Sequence, residues 1–149
     1  MKSLTIITVF VISLCFLAAC APPKMAGATS MTNFNGDTTA YYQANIIIKK
    51  EQYINKKFKQ LMWGLYLKDK QHNYHTRYKI VQSSTNKLYD QVLFTYYKNN
   101  SEKIIRVTLA VQQIPAEVSA GIKDNDGRWN KAIAGFYPQQ IVKDIIMEN

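Results

Sequence analysis

Residues 91–112 read as two strands joined by a tight turn, and this hairpin constrains the fold more than any other stretch. Ile105, Val107, Leu109 and Val111 alternate with Arg106, Thr108, Ala110 and Gln112. A period of two sends the first row to one face of a strand and the second row to the other. Residues 91–97 are apolar on both faces, the pattern of a strand in the interior of a sheet. Asn99-Asn100-Ser101 supplies a hairpin signal, and Pro115 ends the second strand.

Further strands are expected upstream. Trp63, Leu65 and Leu67 alternate with Gly64, Tyr66 and Lys68. After the polar 68–73 stretch, Tyr74, Thr76, Tyr78 and Ile80 alternate with His75, Arg77 and Lys79, and a Ser83-Ser84-Thr85-Asn86 loop follows. Residues 38–50 support two readings. Ala40, Tyr42, Ala44, Ile46 and Ile48 fit a strand, whereas Asp37 or Thr38 also suits the cap of a helix. Over 50–62 a basic amphipathic helix is predicted, since Ile54, Phe58, Leu61 and Met62 share one face. Near the C-terminus, Asp124-Asn125-Asp126-Gly127 is a turn, and residues 129–136 are expected to form one or two helical turns. Pro138 suits the first position of a closing helix whose stripe is Ile141, Val142, Ile145 and Ile146. The expected fold class is α+β: an antiparallel sheet of about four strands packed with an N-terminal amphipathic helix and a C-terminal helix.

The N-terminus carries an address. Lys2 precedes an uncharged apolar run from Leu4 to Leu17, closed by Leu17-Ala18-Ala19-Cys20. This order is that of an export signal, and the run is short for a spanning helix, which needs roughly 20 apolar residues. Leu-small-small-Cys resembles the lipobox of bacterial lipoprotein precursors. The resemblance covers the signal peptide, and it implies lipidation at Cys20 with cleavage before it. Domains are accordingly expected at 1–19 (signal peptide), 20–36 (a lipidated flexible tether) and 37–149 (a single α+β domain). Residues 21–36 are rich in Pro, Gly, Ala, Ser, Thr and Asn, as a tether requires. Ala21 follows the cysteine, where aspartate typically retains a lipoprotein in the inner membrane. The resemblance therefore implies a lipid-anchored protein of the outer membrane, facing the periplasm.

Charge and cysteine content narrow the function. Both cysteines, Cys15 and Cys20, lie in the signal and at the lipidation site, so the domain has no thiol for a disulfide or a metal. The formal net charge is +9, mostly from lysine. A basic face is expected from Lys49, Lys50, Lys56, Lys57, Lys59, His75, Arg77 and Lys79. Such a face suits an acidic protein surface, lipopolysaccharide phosphates or peptidoglycan carboxylates; the exported compartment disfavours nucleic acid. Tyr41-Tyr42 and Tyr96-Tyr97 add contact area, one member of each pair facing outward if both lie in strands.

Catalytic patterns are weak. His72 and His75 sit at a turn before a strand, where residues three apart face oppositely, and neighbouring cations repel a metal. At Asp124 the calcium-loop pattern fails, because Arg128 and Trp129 occupy its fifth and sixth positions. Ser119 lies outside any Gly-x-Ser-x-Gly elbow, and Glu51, Glu102 and Glu117 form no evident pair for glycan cleavage. No metal and no cofactor is implied. The expectation is a non-enzymatic binding or scaffold domain, anchored in the membrane and accessory to an envelope assembly or secretion complex. The alternatives are a surface-exposed lipoprotein binding host or environmental ligands, and a peptidoglycan-active enzyme.

Overall fold

The computed structural model describes residues 29–65, 77–83 and 88–148. Its frame is a four-stranded antiparallel sheet in the order β1 (Tyr78–Gln82), β2 (Tyr89–Lys98), β3 (Ser101–Ala110), β4 (Ile141–Glu148). The hairpin forms as the alternation requires. Lys98 pairs with Ser101 across Asn99 and Asn100, and both asparagines are left-handed, at φ 50° and 61°. Positive φ at both turn residues matches the right-handed twist of the strands, and asparagine tolerates it better than most residues.

One face of the sheet carries the core. Tyr78 and Ile80, then Val92, Phe94 and Tyr96, then Ile105, Val107 and Leu109, then Val142 and Ile145 are all buried there. Helices cover this face: α1 (Thr38–Tyr42), a π-helical turn (Gln43–Ile47), α2 (Phe58–Leu65), α3 (Ala116–Asp124) and α4 (Lys131–Phe136). An aromatic chain links the layers: Tyr42 meets Tyr96 at 4.8 Å and Phe94 at 5.6 Å, while Tyr78 meets Phe94 at 5.1 Å and Trp129 at 5.2 Å. On the opposite face Val81 and Ile146 are exposed. There Arg106 reaches Glu148 at 2.5 Å and donates to the Gln91 amide oxygen.

Residues 38–50, left open by the sequence, are helical. The Asp37 carboxylate accepts from Ala40 N at 3.0 Å, capping α1. Both Tyr41 and Tyr42 are therefore buried, whereas the strand pair Tyr96-Tyr97 splits, with Tyr97 exposed. The helix predicted over 50–62 is broken. A 3₁₀ turn at Lys50–Gln52 and a left-handed Asn55 (φ 62°) precede α2. The break lets residues 55–58 run along the sheet edge instead of coiling.

Two predicted elements change type. Trp63 and Leu65 belong to α2, not to a strand, because Phe58, Leu61 and Leu65 form a helical stripe buried on the core; Leu67 lies outside the described residues. The C-terminal helix is β4. Its register against β3 shifts between Thr108, facing Asp144, and Leu109, facing Val142, so Lys143 is skipped. That bulge puts Val142 and Ile145 on the same face. In a regular strand residues three apart face oppositely, and a shared face at that spacing imitates a helix. The fourth strand is thus supplied by the C-terminus.

Residues 29–36, ahead of Asp37, also contact the helical layer. Buried Asn45 accepts from Thr29 N at 2.9 Å and donates to Thr29 O at 3.2 Å. Phe34, at the end of a 3₁₀ turn (Met31–Phe34), packs edge-on against Tyr41 at 5.8 Å. The segment 1–19 expected as a signal peptide and residues 20–28, Cys20 included, lie outside the described residues.

Candidate functional site

Both edge strands of the sheet are partly covered by backbone pairing, and several lysines lie on or beside those edges. Along β4, Asn55 N donates to Val142 O and Val142 N to Lys56 O, each at 2.9 Å, and Phe58 N donates to Gln140 O at 2.8 Å. Short pairings of this kind blunt an edge that would otherwise template another strand. They bring Lys56 and Lys57 against β4, where Lys143, absent from the sequence-derived set, joins them by donating to Asn55 Oδ1 at 2.9 Å. Lys50 pairs with Asp144 at 3.4 Å, and Lys57 donates to Gln139 at 3.1 Å. Lys49 adjoins Lys50, and Lys59 lies in the first turn of α2. The side chains of Lys56 and Lys59 are exposed, with no side-chain hydrogen bond or ion pair among the described residues.

Arg77 and Lys79 lie elsewhere. They belong to the β1 side, three strand spacings or about 14 Å across the sheet. The Lys79 ammonium is also engaged, at 2.8 Å from Asp126, and this bond is the main cause holding the Asp126 carboxyl below its ordinary range. His75 lies outside the described residues, as does His72. The sequence-derived basic face is therefore at least two separate patches, and the larger one is on the β4 edge.

A cleft of about 1060 Å³ opens at one end of the sheet. There, in the last row of the inner face, Gln82 of β1 faces Asp90 of β2. Gln82, Ser83, Gln112, Gln113 and Ser119 line it, with Leu88, Val111 and Ile114 as its apolar residues. Asp90 lies at its base, 3% exposed. Its Oδ2 accepts from the Tyr137 hydroxyl at 2.5 Å. Burial first, then that bond to Asp90, raises the Tyr137 phenol far above its ordinary range, so it is a proton donor at any physiological pH.

Sequence reasoning missed Asp90 and Tyr137. The signal was present: Asp90 shares the parity of Val92, Phe94 and Tyr96, so a strand reading extended by one residue places a carboxylate among core side chains. Lys143 was missed because a helical reading of its segment hid the bulge. Among the described residues no group of three His, Cys, Asp or Glu side chains converges as a metal site, and no helix is long and apolar enough to cross a membrane. No protein-family model, curated protein or solved structure matches this chain.

Proposed function

We propose that this chain is a lipoprotein of the outer membrane, anchored through Cys20, whose α+β domain acts without catalysis as a periplasmic binding or scaffold module. Its role is accessory to an envelope assembly or secretion complex. The lipobox motif supports the anchor. One observation carries the binding role: Lys50, Lys56, Lys57 and Lys143 gather along a single sheet edge, with Lys59 following on α2. Exposed lysines on a backbone-paired edge present charge from a rigid support, which suits steering toward an acidic protein surface.

The test is crosslinked capture of the tagged full chain from membranes, beside a Cys20→Ala control. A stoichiometric envelope partner, reduced when the anchor is lost, is the expected result. Digestion of the domain by protease added to intact cells would instead assign it to the cell surface.

A further inference from the structure

The cleft at the sheet end has a chemistry of its own, independent of the anchor and of the lysine edge. Asp90 is the one buried carboxylate among the described residues, on an inner face whose other buried side chains are aliphatic or aromatic, and its single side-chain partner among the described residues is a neutral phenol. A buried carboxylate is costly unless a charge or several donors compensate it, and one hydroxyl leaves most of its acceptor capacity unused. The chain carries 19 lysines and arginines, yet none of the described residues lining the cleft is one of them. Apart from Asp90, every described residue on the lining is uncharged. The cleft therefore offers one anion at its base, amide and hydroxyl groups around it, and aliphatic wall from Leu88 and Ile114.

We propose that this cleft binds the side chain of a lysine-like ligand, its ammonium seated against the Asp90 carboxylate and its methylenes along Leu88 and Ile114. The ammonium supplies the donors that Tyr137 alone does not. Long charged side chains bury their aliphatic stems readily when the head finds a partner. Gln82, Gln112 and Gln113 then face the backbone amides of a peptide carrying that lysine, each able to donate and accept. Gln113 is left-handed at φ 42°, a conformation uncommon outside glycine, which sets its backbone apart at the cleft.

The experiment is amide chemical-shift titration of the full chain in detergent with three probes. These are N-acetyl-lysine methylamide; N-acetyl-norleucine methylamide, which lacks the ammonium; and n-butylamine, which lacks the peptide amides. The lysine probe is expected to shift the amides of Asp90, Gln112 and Gln113 and to bind at least tenfold tighter than either of the others. Asp90→Asn, which keeps an acceptor for Tyr137, should abolish that preference. Gln112→Lys, an exposed change that puts a competing cation on the lining, should weaken the lysine probe about tenfold with the fold intact. Equal response to norleucine, or full binding by both variants, overturns the proposal. Equal binding of n-butylamine overturns its peptide form and assigns the cleft to free amines.

Discussion

The two edges of the sheet meet one problem with different means. On β1 the cover is a single approach: Gly127 O accepts from Ile80 N at 2.8 Å, and the glycine sits at φ 73°. A Cβ there would lie 2.1 Å from Ile80 O. On β4 the cover is a run of residues, 55–58, held by three backbone hydrogen bonds, with its turn made by a left-handed asparagine. The first edge depends on the absence of one side chain; the second spreads its dependence over several bonds and leaves its side chains free to vary. Lysines collect where the backbone does the holding, and for that reason the β4 edge is the one proposed for binding.

The largest expected effect is Gly127→Ala. Left-handed strain and a clash with backbone together should cost about 3 kcal/mol in denaturant unfolding. A loss under about 1 kcal/mol would mean the β1 cover is dispensable. The matching change on the other edge, Asn55→Ala, should cost about 1 kcal/mol, mostly from the left-handed backbone, and Asn55→Gly only a few tenths. Equal losses for Gly127→Ala and Asn55→Ala would erase the contrast.

Acid should act on the β1 edge through Asp126. Its folded pKa lies below the ordinary 3.8 because Lys79 favours the carboxylate. The associated stability is present above about pH 4 and is lost as pH falls through the lower folded value. The melting temperatures of wild type and Asp126→Asn should therefore differ slightly near neutral pH and converge below pH 4; a gap that widens in acid would reverse the assignment. Smallest of all, Lys50→Ala should change stability by less than about 1 kcal/mol, and by less still in high salt, because its pair with Asp144 is well exposed.

How much of this was legible follows from the same physics. The hairpin could be read because each strand keeps its period and its turn residues accept positive φ. β4 could not, because a bulge at Lys143 turns a strand's period of two into a shared face three residues apart. The lysine edge was half legible. Lys50, Lys56 and Lys57 are close in sequence, but their neighbour Lys143 arrives through the very strand whose type was misread. Arg77 and Lys79 matched by charge alone, and charge says nothing about which edge a strand occupies. Asp90 was visible as a polar residue in an apolar strand, but its partner Tyr137 lies 47 positions away, and no local pattern joins them.

The measurement that most directly tests the binding role is photo-crosslinking from chosen positions of the full-length chain in membranes. A photoreactive residue at Lys59, beside the β4 edge, is compared with one at Lys79 on the β1 edge. Crosslinking to one discrete envelope protein from position 59, lost on combined Lys56→Glu, Lys57→Glu and Lys143→Glu substitution and absent from position 79, is the predicted result. Equal crosslinking from both positions, or crosslinking unaffected by the three reversals, would contradict the assignment of binding to the lysine edge.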